Sequence, residues 1–135
     1  MLVRPTAVWR ETVAREAAAL AAGSLDPADA FAVALWPEAM IRETEAVLDL
    51  FEDDVTHLVR QPATDRELSA VIEVTVKALN AVNARHGGRA YETGERELLC
   101  AYIEHVLDDA GIDVDAFAAR HRLTRHEITD RWRTW

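Results

Sequence analysis

The sequence has few of the residues that indicate a disulfide scaffold, a membrane protein or a loop-rich fold. It contains one cysteine, Cys100, together with five glycines and four prolines among its 135 residues. A single cysteine cannot close an internal disulfide, which fits a reducing compartment. No apolar run approaches the roughly 20 residues of a membrane span, and the first residues lack the pattern of a secretory signal. We therefore expect a soluble cytoplasmic protein with no membrane association.

Basic residues are also scarce. Lys and Arg total 15 against 24 Asp and Glu, which gives a formal net charge of -9. A strongly acidic chain is repelled by nucleic acids and by membrane surfaces, and it is attracted to basic partners. The charge balance therefore favours a basic protein as the partner.

The sequence is rich in apolar residues at helical spacing. Half of its residues are hydrophobic, and a chain of this length can enclose the core of one domain. Helix starts are indicated at Pro5, Asp26, Pro37, Thr64, Thr93, Asp113 and Thr124, and helix ends at Gly23, Gly87 and Gly111. We predict an all-α fold with a single helical domain over residues 1–135. It should be a bundle of six or seven helices around a central long helical hairpin.

We expect the central hairpin to lie between residues 64 and 110. Thr64 and Glu67 form a capping box at the start of its first helix. The predicted apolar faces of its two helices are Leu68, Val71, Ile72, Val76, Leu79 and Val82, then Leu98, Leu99, Tyr102, Ile103, Val106 and Leu107. A short helix earlier in the chain should bury Phe31 and Leu35.

The connection between these two helices, residues 86–93, is polar and is the first candidate site. Six side chains should gather around it: Asn80, Asn83, His86, Tyr91, Glu92 and Glu95. Such a cluster could bind a small polar ligand, or could let His86 act as a general base. Alternatively, the asparagines satisfy backbone groups of the loop, and the glutamates stabilise the start of the next helix. We favour this structural interpretation and predict no catalytic residue.

The third predicted helix, residues 37–58, is strongly acidic. It carries seven acids and one base between positions 38 and 54. One interpretation is a solvated face that keeps the protein soluble. The other is an acidic ridge that attracts a basic protein. In the second interpretation the contact residues are Glu45, Asp49, Glu52 and Asp53. The apolar stripe of this helix could also pair with a helix of a second copy, so a homo-oligomer is a further alternative.

The sequence predicts neither a metal site nor a cofactor. Its five histidines include no pair four residues apart on one helix, and no cysteine cluster accompanies them. Cys100 shares a predicted helix face with Ile103 and Leu107, where a small apolar thiol packs well. We expect it to fill the core.

Residues 117–128 resemble a bacterial helix-turn-helix. The matching positions are Ala118, Leu123, Thr124 and Ile128. The resemblance implies that a second helix presents four side chains to a DNA major groove: Arg125, His126, Thr129 and Arg133. The chain departs from the motif at Arg122, where glycine is usual, and its acidic net charge opposes DNA binding.

A broader resemblance covers roughly positions 40 to 135. The segments that carry it are Ala78-Leu79-Asn80, Asn83, His86, Gly88, Tyr91-Glu92-Thr93, Glu95-Arg96-Glu97, Leu99-Cys100, Tyr102-Ile103, Ile128-Thr129 and Trp132-Arg133-Thr134-Trp135. They look like a group of small bacterial proteins of unassigned function, a resemblance that implies no activity. By analogy, small acidic helical bacterial proteins are often immunity partners of toxins.

The leading functional hypothesis is a non-enzymatic, acidic interaction module, immunity-like, that occludes a basic protein partner. The first alternative is a DNA-binding regulator that uses residues 114–135. The second alternative is an enzyme or small-ligand binder at the hinge, residues 80–95.

Overall fold

The computed structural model describes residues 2–135, which contain helices and no strand. The all-α prediction is therefore confirmed. The helices are α1 (Pro5–Ala21), α2 (Ala32–Leu35), α3 (Glu38–Leu58), α4 (Asp65–Arg85), α5 (Thr93–Asp109) and α6 (Val114–Arg120). Short 3-10 turns cover Pro27–Asp29 and Arg125–Glu127.

The predicted number of helices was slightly too high. Five of the α-helices are longer than a single turn, whereas α2 has only four residues. The last predicted helix, which was expected to begin after Thr124, is a 3-10 turn followed by irregular backbone. Thr124 and Glu127 do form the predicted capping box, so the start signal was correct. The segment after this start signal does not continue as an α-helix.

The central hairpin consists of different helices from those predicted. The most extensive backbone pairing joins α3 to α4, whereas α4 and α5 approach each other at few positions. Glu43 near the start of α3 pairs with Arg85 at the end of α4, so the two helices are antiparallel. A short connection joins α4 to α5, but one just as short joins α3 to α4. The length of the connection therefore does not decide which helices pair.

The core lies where α1, α4 and α5 surround α3. The buried residues of α3 recur every three or four positions: Ile41, Thr44, Leu48, Phe51 and Val55. Most of the predicted apolar faces of α4 and α5 are buried with them, although Val71 is only partly buried. Phe31, Leu35 and Leu98 were also predicted to face inward and are instead exposed. Phe31 and Leu35 flank the single turn of α2, which is too short to present an inward face of its own.

Four of the helices, α1, α4, α5 and α6, end in the same geometry, in which a residue just beyond the last turn has a positive φ. In α1, α4 and α5 a glycine just beyond the last turn adopts a positive φ and closes the helix, and these residues are Gly23, Gly87 and Gly111. At the end of α6 the same position is Arg122, with φ 59°. The N–H of Leu123 donates to the carbonyl of Ala118 at 2.9 Å, which is the Schellman closure.

Candidate functional site

The acidic ridge of α3 is partly neutralised by α1. Arg10 donates to Glu45 at 3.1 Å and to Glu38 at 2.9 Å. Arg4 pairs with both Asp49 and Glu52. Three of the four predicted contact acids therefore pair with arginines of the same chain, and only Asp53 has no cation against it among the described residues. Sequence reasoning missed these pairs because they join positions 35 to 48 residues apart.

Glu52 is the most constrained acid of the ridge. It pairs with Arg4 and accepts a hydrogen bond of 2.6 Å from the hydroxyl of Tyr102 on α5. Burial and the carboxylate of Glu52 raise the pKa of Tyr102 to about 12. Burial opposes the charge on Arg4, but hydrogen bonds to Asp49, Tyr102 and Glu52 raise its pKa overall. Glu52 therefore joins α1, α3 and α5 and is less available to a partner.

A different part of α3 is open. Leu50 is 65% exposed, and on α4 Val74 is 61% exposed. Leu50 lies seven residues, about two turns, from Glu43, while Val74 lies eleven residues, about three turns, from Arg85. Since Glu43 and Arg85 are in contact across the hairpin, Leu50 and Val74 both lie on this side of the α3–α4 junction.

We call this surface the outer seam and define it as Leu50, Asp53, Asp54, Val74 and Ala78. Counting from the Glu43–Arg85 pair along the antiparallel helices puts Leu50 level with Ala78 and Asp54 level with Val74. Asp53 and Asp54 are exposed and form no ion pair with the described residues. Leu50 and Val74 were absent from the predicted site. The sequence signal that could have identified them is an apolar residue outside the buried stripe of each amphipathic helix.

The polar residues of the predicted hinge site separate into structural contacts. Buried Asn83 accepts the N–H of Tyr91 at 3.1 Å, and the hydroxyl of Tyr91 lies 2.5 Å from that of Thr44 on α3. Glu95 accepts the N–H of Glu92 across the first turn of α5. The cap position of α5 is thus Glu92, one residue before the predicted Thr93.

His86 and Asn80 point to different neighbours. The Nε2 atom of His86 lies 2.8 Å from Glu43, which also accepts from Arg85 at 2.5 Å. These contacts, with His86 first, hold the pKa of Glu43 below its usual value. Asn80 contacts the main chain of residues 132–134 instead. The structure therefore does not bring the six predicted hinge residues together in a single pocket.

The predicted DNA contacts are largely used within the fold. Arg125 pairs with Glu104 at 2.8 Å and also with Asp108 and Asp115. Its partner Glu104 has a side chain only 7% exposed, and this carboxylate also lies 3.2 Å from Nδ1 of His126.

Thr129 and Arg133 also make contacts within the fold, whereas the side chain of His126 remains 78% exposed. Thr129 is buried, and Arg133 donates to Asp130 at 2.7 Å and to the carbonyl of Trp135. Arg125–Glu127 is too short to lie in a major groove as a recognition helix does.

A groove of about 700 Å³ runs beside Glu104 and includes Cys100. The Sγ of Cys100 lies 3.5 Å from the hydroxyl of Thr129, and burial raises the pKa of the thiol. A protonated, half-buried thiol is a poor nucleophile. Within residues 2–135 no three His, Cys, Asp or Glu side chains are grouped so as to bind a metal ion.

Comparison with known proteins adds no relative. No protein-family model matches this chain, and neither a curated protein nor a solved structure matches it significantly. In residues 2–135 no helix is both long and apolar enough to cross a membrane.

Proposed function

We propose that this protein is a non-enzymatic interaction domain of the cytoplasm whose outer seam binds a basic protein partner. The observation that carries the proposal is the pair Leu50 and Val74, exposed on the same side of the α3–α4 hairpin beside two unpaired acids, Asp53 and Asp54. Scattered exposed apolar residues need no explanation, but apolar residues on the same side of a hairpin and rimmed by charge are typical of an interface.

The two parts of the outer seam would have different roles in binding. Leu50 and Val74 would form the dehydrated centre, where most of the binding free energy of an interface arises. Asp53 and Asp54 would form the rim, where charge steers a basic partner into its orientation and raises the association rate. The mode of action would be steric and electrostatic occlusion, as when an immunity protein covers a basic toxin.

The structure changes which acids support this proposal. Glu45 and Glu52 face α1 and are paired with its arginines. Asp49 pairs with Arg4 but has a side chain 64% exposed, so it can still contribute at the edge. The attraction would therefore come mainly from Asp53 and Asp54, with Asp49 as a secondary contact.

Two matched pairs of variants test the proposal. Asp53→Lys/Asp54→Lys reverses the seam charge, and Glu11→Lys/Glu97→Lys makes the same charge change at two other exposed acids. Leu50→Ser removes the apolar centre, and Val33→Ser does the same at a residue that is 62% exposed on α2.

The measurement begins with proteins that the wild-type domain retains from its host and continues with the purified partner. We expect a basic partner whose affinity falls about tenfold or more for each seam variant, a loss of about 1.4 kcal/mol, and changes little for the two controls. Its affinity should also weaken with added salt. A purified partner that binds the seam variants and the controls equally would refute the outer seam as the site.

Retention of DNA by the folded protein in a gel-shift assay would favour the regulator hypothesis instead.

A further inference from the structure

The last five described residues, 131–135, are attached to the body in an unusual way. We call them the closing segment; its sequence is Arg-Trp-Arg-Thr-Trp. Residues 131 and 132 lie in a turn, residues 133–135 have no regular secondary structure, and none of the five belongs to a helix. The end of the closing segment is therefore held mainly by side chains, as a bound peptide would be.

A single side chain of α4 holds the main chain of this segment. The Nδ2 of Asn80 donates to the carbonyl of Trp132 at 2.8 Å, and its Oδ1 accepts the N–H of Thr134 at 3.1 Å. The amide thus satisfies one acceptor and one donor of the same short stretch. Such two-point contact recognises the backbone of a peptide whatever its side chains are.

An aromatic surface provides the second anchor. The ring of Trp135 packs edge-on against Tyr91 at 5.2 Å, and Tyr91 stacks against Trp9 at 6.4 Å. Arg133 lies over the Trp135 ring at 5.4 Å and donates to its carbonyl. The arginine and the tryptophan therefore form one compact unit that rests on the body.

The anchoring is incomplete. The Nε1 of Trp135 and the Nε of Arg133 are buried without a hydrogen-bond acceptor from the described residues. Burying an unpaired donor opposes docking and offsets part of the gain from the aromatic contact. A segment with two backbone contacts and two unpaired donors belongs to the part of a fold that opens locally before the core does.

We propose that Asn80 and Tyr91, with Trp9 buried behind Tyr91, form a peptide-binding site that the closing segment occupies in cis and can vacate. The partner it fits is a protein segment with an arginine close before a tryptophan, as in the closing segment itself. Asn80 lies about a third of a turn around α4 from Val74. The peptide site is thus distinct from the outer seam and does not depend on the proposed function.

The test uses the full chain with the cis anchor removed. Trp135→Ala removes the aromatic anchor and leaves only the two contacts of Asn80, so the cis segment should compete more weakly for the site. The probe is a fluorescent peptide of residues 128–135, and anisotropy reports its binding. If the wild-type segment is docked for roughly nine-tenths of the time, the Trp135→Ala protein should bind the probe about tenfold more tightly than the wild type.

Two controls make the result specific. A probe with alanine in place of its last tryptophan should lose binding, and so should the Trp135→Ala protein that also carries Asn80→Asp, which removes the Nδ2 donor. In the wild-type chain, hydrogen exchange at the amide of Thr134 should be much faster than exchange in the middle of α4.

The following results would overturn the proposed peptide site. If the folded Trp135→Ala protein does not bind the probe, the site is not a peptide site. If Trp135→Ala unfolds the chain, or if Thr134 exchanges only with global unfolding, the closing segment is part of the core and the proposal fails.

Discussion

The outer seam is acidic, and the region after α6 is basic. The acids of the seam remain exposed to solvent, whereas arginines at the end of α6 and after it pair with acids of other helices. Asp53 and Asp54 on the seam face solvent without a cation. Arg120, the last residue of α6, and Arg125, which follows α6, are both paired with acids from other elements, Arg120 with Asp65 on α4. Some of the scarce cations of this chain therefore join helices, while part of the abundant negative charge remains unpaired.

This difference shows why a count of charges along one helix misjudges a surface. The third helix carries seven acids against one base between positions 38 and 54, yet Arg4, just before α1, and Arg10 of α1 pair with four of those acids. Ion pairs between helices thus concentrate the uncompensated charge at one end of α3. Arg125, one of the predicted DNA contacts, is likewise engaged in an ion pair, with Glu104.

The largest expected change in stability comes from removing Glu104 on α5, the nearly buried acid that pairs with Arg125. In Glu104→Ala, Arg125 loses its nearly buried partner although Asp108 and Asp115 remain close. Breaking a buried ion pair leaves a charge uncompensated, and we expect a loss of about 3 kcal/mol in the free energy of unfolding. Urea unfolding followed by circular dichroism measures it.

Glu97→Ala is the matched control, because Glu97 is an exposed acid of the same helix with no ion pair among the described residues. Its effect should stay within about 0.5 kcal/mol. Equal stabilities of the two variants would mean that Arg125 does not depend on Glu104, and the contrast between the two regions would be broken.

Replacing Arg122 should change the stability by a smaller amount and in the opposite direction. Its φ of 59° lies in the left-handed region that favours glycine, and Arg122 is exposed, without an ion pair among the described residues. Arg122→Gly should therefore stabilise the chain by about 1 kcal/mol, since it relieves backbone strain. Thermal unfolding measures the gain. Gly111→Ala, at the corresponding position with φ 87°, should destabilise instead, and the same sign in both variants would contradict the strain argument.

The smallest change in stability is expected for Glu43, an acid of α3 that is paired with His86 and Arg85 and is not part of the outer seam. Contacts with His86 and Arg85 lower its pKa below the ordinary 4.5. The stability that it adds is therefore present above about pH 4.5 and is lost as the pH falls through the lower folded pKa. Relative to wild type, Glu43→Gln should lose under about 1 kcal/mol at neutral pH, and the difference should vanish in acid.

Asp54→Asn is the control for this pH dependence, because Asp54 forms no ion pair with the described residues. Its stability should follow that of the wild type across the same pH range in urea unfolding. A difference for Asp54→Asn as large as that for Glu43→Gln would show that the seam acids are not free, and the proposed binding surface would lose its charge.

Local signals in the sequence were reliable where a few neighbouring residues decide the structure. The capping boxes at Thr64 and Thr124 form as expected, and Asp113 accepts the N–H of Ala116 at the start of α6. These contacts join residues only three positions apart. Whether the helix continues beyond its cap is a separate question, as the turn after Thr124 shows.

The candidate site was less predictable. Asn80 and Asn83 were expected to serve the hinge, and only Asn83 does, because the partner of Asn80 lies 52 residues away. Leu50 and Val74 could be recognised only after α3 and α4 were paired, since a single exposed apolar residue has no meaning alone. The partner itself stays a proposal.

The sequence by itself determined that this chain is helical, where its long helices begin and end, and which face of each is apolar, because caps and periodicity act within a few residues. The tertiary structure alone decided that α3 pairs with α4, that α1 neutralises much of the acidic ridge, and that residues 131–135 rest on Asn80 and Tyr91. Those outcomes depend on contacts between distant positions, where many pairings compete and the burial of complete helix faces selects one.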